Sequence, residues 1–187
     1  PEVCGPEWRD LSLVRANGDA LIDAVVYLED IERGKPFSAA AKKVTINQKA
    51  CTFEPYLSVM ANSGELEAVN SDPVLHNIHV YELTTGGVRR TVMNVSQPER
   101  GDIVAKRITL AQGRALKVEC DAHDFMHAWV FVARNPYYAV VDREGRFQID
   151  DVPPGDYIVR VWHGSLGIRG VRVTVPAGDS VSLHLSF

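Results

Sequence analysis

The sequence lacks several features that mark large functional classes. No apolar run approaches the roughly 20 residues that a helix needs to cross a bilayer. Basic side chains are not in excess, because 24 acidic residues outnumber 20 basic ones, whereas nucleic-acid-binding proteins present a dense basic surface. Serine-hydrolase, P-loop and dinucleotide-binding motifs are absent. We therefore expect no membrane span, no nucleic-acid partner and no enzyme of these classes.

Cysteines are few, and the sequence does not begin with methionine. It begins at Pro1, without an initiator methionine or a charged-then-apolar segment, so we expect a mature or trimmed product. The three cysteines are Cys4, Cys51 and Cys120, and in an exported protein this odd number is typical of one disulfide plus one thiol with another role. A Cys4–Cys51 disulfide is favoured, since neither residue has ligand-like neighbours. Two unrelated thiols are the alternative.

Long helical periodicity is also missing, and short alternating apolar runs dominate. Such runs are Leu66–Val69, Ala115–Cys120, Val171–Val175 and Val181–Leu185, and turn residues such as Thr85-Gly86-Gly87 separate them. Lys35–Lys42 allows a turn or two of helix. The pattern predicts an all-β chain with one or two β-sandwiches.

No low-complexity linker divides the chain, and the best boundary lies at Ala133–Pro136, where a turn-rich stretch begins. The tail from Asn135 is too short to form a stable sandwich by itself. We therefore expect Ala24–Leu28 to pair with strands of this tail, with the chain passing between domains near Pro36 and Asn135.

The most specific motif is Cys120-Asp121-Ala122-His123-Asp124-Phe125-Met126. It brings a thiolate, an imidazole and a thioether together, which is a ligand set that copper prefers. A second imidazole is available in the segment 70–79. The predicted metal ligands are His76, Cys120, His123 and Met126. A structural zinc site is one alternative, although zinc sites seldom recruit methionine. A buried cysteine and methionine beside a polar histidine is the other.

These two motifs resemble those of cupredoxins. His76-Asn77-Ile78-His79 is similar to the first ligand loop of plastocyanin and especially of amicyanin, and the Cys-x2-His-x2-Met spacing matches amicyanin. The resemblance covers roughly Val44 to Val132. It implies a Greek-key β-sandwich with one type 1 copper per chain, cycling between Cu(I) and Cu(II) in single-electron transfer. It also implies a protein redox partner, such as a cytochrome or an oxidoreductase, in the bacterial periplasm or another extracytoplasmic compartment.

The same resemblance implies a role for each ligand. His76 is expected to be a buried ligand, Cys120 the thiolate that conducts the electron, and Met126 a weak axial ligand. The ring edge of His123 is expected at the surface, as the port for a redox partner. Asn77 is expected to tie the two ligand loops together and to donate its backbone N–H to the Cys120 sulfur.

Two further histidines lie close to the predicted ligands, and one position in the ligand loop departs from the usual amicyanin-like pattern. His79 and His127 lie an odd number of residues from His76 and Met126, so on a strand their side chains point to the opposite face. We expect neither to be a ligand. Asp124 stands where amicyanin-like loops usually place a proline, and the loss of a fixed φ is expected to loosen the loop slightly.

The rest of the chain resembles a second family. Residues 142–147, 152–157 and 159–162 are similar to carboxypeptidase regulatory-like, transthyretin-like β-sandwiches, and residues 24–28 fit the early part of that module. Bacterial methylamine-utilisation-like proteins combine both features. We expect residues 36–134 to form an inserted cupredoxin domain, with 1–35 and 135–187 together forming the small sandwich.

Two other functions remain open at this point. One is a periplasmic copper-binding or delivery protein without fast electron transfer. The other is an interaction module with a vestigial metal site, which the full set of four ligands disfavours. The sequence predicts no oligomeric state.

Overall fold

The computed structural model describes residues 2–5, 11–31, 34–84 and 87–187, and the regular secondary structure of this part of the chain is almost entirely β, as predicted. Its strands are β1 (Ala16–Asn17), β2 (Ala20–Leu21), β3 (Ala24–Leu28), β4 (Lys43–Lys49), β5 (Thr52–Glu54), β6 (Leu57–Ala61), β7 (Glu65–Asn70), β8 (His76–Leu83), β9 (Arg89–Gln97), β10 (Ile103–Arg107), β11 (Ala115–Cys120), β12 (His123–Ala133), β13 (Tyr138–Val140), β14 (Gly155–His163) and β15 (Gly167–Val175). Two 3₁₀ turns, Glu2–Cys4 and Ala40–Lys42, are the helical segments of these residues. None of the described helices has the length and apolarity to span a membrane. The turn predicted at residues 85–87 falls mainly outside the described residues.

The chain divides into two compact units. Unit 1 comprises Pro1–Leu11 and Ser38–Arg134, and unit 2 comprises Ser12–Phe37 and Asn135–Phe187. These bounds differ from the expected ones at the N-terminus, which was placed with the C-terminal stretch. The physical reason is a disulfide between Cys4 and Cys51, which ties the N-terminal residues to unit 1. The disulfide expected from the sequence is therefore confirmed.

Unit 1 contains two sheets that enclose one core. The four-stranded sheet has the order β10-β7-β4-β5, and the five-stranded sheet has the order β6-β12-β11-β8-β9. The β4–β7 and β12–β6 pairs are parallel, and the other pairs are antiparallel. Leu66 of one sheet and Leu116 of the other are fully buried in the shared core. Each such side chain contributes about 1.5–3 kcal/mol by leaving water, so unit 1 is held together as a β-sandwich.

Alternation along the strands sorts side chains between this core and solvent. In β7, Leu66, Ala68 and Asn70 are buried while the intervening side chains are half-exposed. In β11, Leu116, Val118 and Cys120 face the core in the same way. The alternating runs in the sequence therefore identify both the strands and the inward face, because successive strand residues point to opposite sides of a sheet.

Unit 2 contains a four-stranded antiparallel sheet of order β13-β3-β14-β15 and a small ribbon formed by β1 and β2. The pairing of Ala24–Leu28 with the C-terminal stretch is confirmed, because β3 pairs with both β13 and β14. The strand expected over 181–185 is not formed, since residues 176–187, all of them described, contain no strand. Leu183 and Leu185 instead pack from this segment onto the unit 2 core. Their apolar alternation therefore reflects burial without strand pairing.

Candidate metal centre

Three strand ends meet at one end of the five-stranded sheet. Strand β8 begins at His76, β11 ends at Cys120 and β12 begins at His123. Because β11 runs antiparallel to both neighbours, these three residues lie at the same end. The β11–β12 register shifts between Glu119 and Cys120. Bulges of this kind re-aim side chains near functional sites, and here the shift places Cys120 opposite His123.

The ligand atoms of these three residues form a compact cluster. His76 Nδ1 lies 3.2 Å from His123 Nδ1, and Cys120 Sγ lies 3.7 Å from His123 Nδ1. The sulfur and the two ring nitrogens all lie within 4.8 Å of one another. Two imidazole nitrogens and a thiol are thus presented to a common point. His76 and Cys120 are buried, and His123 is half-buried.

Met126, the fourth predicted ligand, is buried in the same apolar core as Cys120. Along β12 it shares the inward face with Ala128 and Val130. His127 points to the other face, where its Nε2 lies 3.3 Å from the Tyr56 hydroxyl and the two rings meet edge to face. The strand alternation therefore turns the thioether into the core that Cys120 also faces and turns the His127 imidazole to the other face of the sheet.

A buried carboxylate fixes the orientation of His76. Asp72 lies four residues before it and accepts a hydrogen bond from its Nε2 at 2.8 Å. Asp72 also accepts backbone N–H bonds from Ala50 at 2.8 Å and Cys51 at 2.9 Å. Because Nε2 carries the proton that is donated to Asp72, the neutral ring has its lone pair on Nδ1, which faces His123 and Cys120.

The charges in this cluster are coupled. Burial opposes ionisation of Asp72, but the N–H of Cys51, the His76 ring and the N–H of Ala50 outweigh it and lower the pKa of this carboxyl. Burial would likewise lower the pKa of His76, but Cys120 and Asp72 outweigh it and raise that pKa. Asp72 is therefore an anion that stabilises a proton on His76.

Cys120 is biased toward the thiolate that a metal requires. Burial alone would raise the pKa of its thiol. The His76 ring and the backbone N–H groups of Asn77, Ala122 and His123 outweigh that effect and lower the pKa. The Asn77 N–H donates to the sulfur at 3.3 Å, as the resemblance to amicyanin implies. A thiolate is the form of cysteine that binds metal.

Asn77 also ties the two ligand loops together through its side chain. Its Oδ1 accepts the backbone N–H of Asp121 at 3.2 Å, and its Nδ2 donates to Asn94 Oδ1 at 2.6 Å. Asn94 in turn donates to Asp121 Oδ2 at 3.0 Å. These bonds link β8, β9 and the turn after Cys120, so they restrain the cysteine relative to His76.

His79 belongs to the same network and not to the cluster. It is half-buried, its Nδ1 lies 2.8 Å from Asp121 Oδ1, and its ring stacks on Tyr81 with centroids 3.9 Å apart. The alternation along β8 places it away from His76, as the sequence predicts.

The outer edge of His123 differs from expectation. Its Nε2 lies 3.7 Å from Cys4 Sγ, so the N-terminal segment lies against the edge that was expected to face solvent and a redox partner. The Phe125 ring lies on another side, with centroids 5.6 Å apart. The half-buried state of His123 follows from these neighbours. Asp124 is exposed beside them.

Sequence reasoning missed three residues that shape the cluster. The sequence could have indicated Asp72, because an acidic residue four positions before a candidate ligand histidine, in the same loop, can reach the ring nitrogen that does not face the metal site. Cys4 and Cys51 were recognised as a disulfide, but their place beside His123 and Asp72 depends on tertiary contacts between segments far apart in the chain.

The donor set fits copper. A thiolate and two imidazoles, with the thioether of Met126 buried in the same core as Cys120, are soft and borderline ligands, which suit a metal that alternates between Cu(I) and Cu(II). His76, Cys120 and His123 are the residues placed to hold it.

Comparison with protein families and with curated proteins finds no match. Among solved structures, a reduced amicyanin variant is similar at 17% identity and a TM-score of 0.40, with 59% of this chain and 99% of that one covered. A purple cupredoxin from Nitrosopumilus maritimus is similar at 18% identity and a TM-score of 0.39, covering 48% and 98%. A copper-containing nitrite reductase from Thermus scotoductus SA-01 has 17% identity and a TM-score of 0.39, covering 49% of this chain and only 22% of its own length.

Proposed function

We propose that this protein is a cupredoxin that binds one type 1 copper per chain and carries single electrons between redox proteins, without catalysing a reaction of its own. The observation that carries the proposal is the convergence of His76 Nδ1, His123 Nδ1 and Cys120 Sγ within 4.8 Å. Met126 is proposed as the weak axial ligand. When bound, copper supplies the one-electron exchange between Cu(I) and Cu(II).

The groups around the cluster orient its ligand atoms and stabilise the thiolate. Asp72 holds His76 with its Nδ1 lone pair inward, and the Asn77 N–H stabilises negative charge on the Cys120 sulfur. Because both histidines and the cysteine are anchored at strand ends, little rearrangement of the chain is needed when the charge at the site changes. Small reorganisation is the condition for fast electron exchange.

We also propose an extracytoplasmic, periplasmic location. The Cys4–Cys51 disulfide supports it, because structural disulfides persist in oxidising compartments and are rare in the cytosol. The redox partner is proposed to be a cytochrome or an oxidoreductase.

For the domains, we propose that unit 1 is a cupredoxin, which includes the N-terminal residues that the disulfide ties to it, and that it is inserted into a carboxypeptidase regulatory-like module made of residues 12–37 and 135–187. The pairing of β3 with β13 and β14 supports a second unit that is built from both ends of the chain.

Metal analysis and electron self-exchange test the proposed function. After copper loading and desalting, we expect one copper per chain. When an excess of Zn²⁺ is then added to the Cu(I) form, we expect it to displace little of the copper. Self-exchange between the reduced and oxidised proteins, followed by NMR line broadening, should be fast. Tight copper binding with slow self-exchange would instead support a copper-delivery role. Absence of stoichiometric copper would refute both.

A further inference from the structure

The Cys4–Cys51 disulfide contacts His123 directly, and the backbone of Cys51 is linked to His76 through Asp72. On one side, Cys4 Sγ lies 3.7 Å from His123 Nε2. On the other, the Cys51 N–H donates to Asp72 Oδ2 at 2.9 Å, and the same oxygen accepts from His76 Nε2 at 2.8 Å. One covalent bridge therefore leads to the rear nitrogen of each imidazole.

The turn that contains Cys51 has a backbone conformation that its two residues rarely adopt. Strands β4 and β5 are joined by the two-residue loop Ala50-Cys51, in which both residues have positive φ, 50° and 52°. Two-residue hairpin loops of this kind favour Asn-Gly or Asp-Gly, because other L-residues rarely adopt positive φ. Such exceptions to local preference are expected where function needs them.

The unfavourable turn is held by contacts from the metal centre. Its two N–H groups both point at Asp72, which accepts from Ala50 at 2.8 Å and from Cys51 at 2.9 Å. Cys51 and Asp72 are buried, as is Cys4. A glycine at position 51 would relax the backbone, but it would remove the sulfur that reaches Cys4 and, through Cys4, the His123 ring.

We propose that the Cys4–Cys51 disulfide is a positioning element of the metal centre, which holds His123 from behind and supports His76 through Asp72. The contacts of the disulfide are present in the protein without metal. Their use in positioning copper ligands rests on the proposed function. Cys4 and Cys51 are positioning residues and are not ligands.

The test separates positioning from simple stability. In C4A/C51A the disulfide is lost, whereas in C4A/A50N/C51G the disulfide is also lost but the loop receives a sequence that favours its turn. Leu66→Ala serves as the matched control, because Leu66 lies at the start of β7, at the end of the sandwich away from the cluster. It lowers the melting temperature without touching the site.

The first readout uses the apo protein, in which diethyl pyrocarbonate modification of each histidine is followed by peptide mass spectrometry. The exposed His184 is the internal reference. We expect the modification rate of His123 relative to His184 to rise at least fivefold in both disulfide-free variants and to stay within twofold of wild type in Leu66→Ala. If C4A/C51A does not fold, the wild-type apo protein can be reduced with a phosphine instead. The modification rate of His123 relative to His184 is then compared before and after reduction.

The second readout is the electron paramagnetic resonance spectrum of the Cu(II)-loaded proteins. We expect both disulfide-free variants to show a changed copper hyperfine splitting or a second species, with Leu66→Ala like wild type. Unchanged His123 reactivity and an unchanged spectrum in folded C4A/A50N/C51G would overturn the proposal. If the apo readout behaves as expected but wild type binds no copper, the positioning role stands and the proposed function fails.

Discussion

Replacing Asp72 by asparagine should impair copper binding through the tautomer of His76. The carboxylate accepts three hydrogen bonds, from His76 Nε2, the Ala50 N–H and the Cys51 N–H, at 2.8, 2.8 and 2.9 Å. An amide offers one acceptor atom, so its NH₂ group faces either the Ala50 N–H, at the Oδ1 position, or both His76 Nε2 and the Cys51 N–H, at the Oδ2 position. In the first orientation a neutral oxygen replaces the charged acceptor that holds the Nε2 proton of His76. In the second the ring reverses its tautomer and protonates Nδ1, the nitrogen that points to the metal site.

The magnitude follows from this geometry. Loss of a partner that orients a ligand histidine typically weakens metal binding 10–100-fold, so we expect a loss of about 1.4–2.7 kcal/mol in copper affinity. The apo protein should lose about 1–3 kcal/mol of unfolding free energy, because a charged acceptor is replaced by one that leaves a buried donor unpaired. Asp72→Ala should cost the apo protein more.

Chelator competition measures the copper affinity, and urea denaturation measures the stability of the apo protein. Asp124→Asn is the matched control, because it makes the same chemical change at an exposed position beside His123. We expect it to leave both quantities within error of wild type. Wild-type copper affinity in Asp72→Asn would refute the tautomer argument even if stability falls.

Three further predictions concern other parts of the chain. Burial opposes ionisation of Glu82, but Arg90 and nearby backbone N–H groups outweigh it and lower its pKa. The stabilisation from this pair is therefore present above the unfolded pKa of about 4.3 and is lost as pH falls through the folded pKa; Glu82→Gln should remove that part of the acid dependence in urea denaturation, and an unchanged dependence would contradict the argument. Met126→Gln should shift the copper spectrum and lower the reduction potential, whereas His127→Ala should change neither, as voltammetry can show; the opposite pattern would make the axial assignment wrong. Asn135→Ala should lower the unfolding free energy of unit 2 by about 1–3 kcal/mol, because the buried side chain bonds the Leu28 carbonyl at 2.8 Å and the Tyr137 N–H at 3.0 Å; a calorimetric transition like that of wild type would argue against it.

The sequence predicted the strands of unit 1 well because their inward and outward positions alternate, as in Ala115–Cys120, which is a strand over those residues. It predicted that Ala24–Leu28 pairs with the C-terminal stretch, because that stretch needed partner strands. It did not predict that residues 181–185 pack without strand pairing. Alternating apolar residues indicate which side chains are buried, but they do not indicate whether the backbone is hydrogen-bonded to a neighbouring strand.

Within the candidate site, short spacing identified Cys120 and His123, and the matching loop identified His76. The contacts behind them were beyond sequence reasoning. Asp72 reaches His76 because the loop before β8 folds back, and Cys4 reaches His123 because a disulfide with a sequence separation of 47 brings the N-terminus to the site. Such contacts depend on the tertiary fold and leave little trace in local patterns.

The most direct test of the central claim is the visible spectrum during titration of the apo protein with Cu(II), with Cys120→Ser measured beside it. A strong charge-transfer band at the red end of the spectrum requires a bond between copper and a thiolate, and serine is a poor ligand for this metal. We predict a band in the wild-type protein that saturates at one copper per chain and that is absent from Cys120→Ser, with the far-ultraviolet circular dichroism of the two proteins unchanged. An intense band that persists in Cys120→Ser, or its absence from the wild-type protein, would contradict the account.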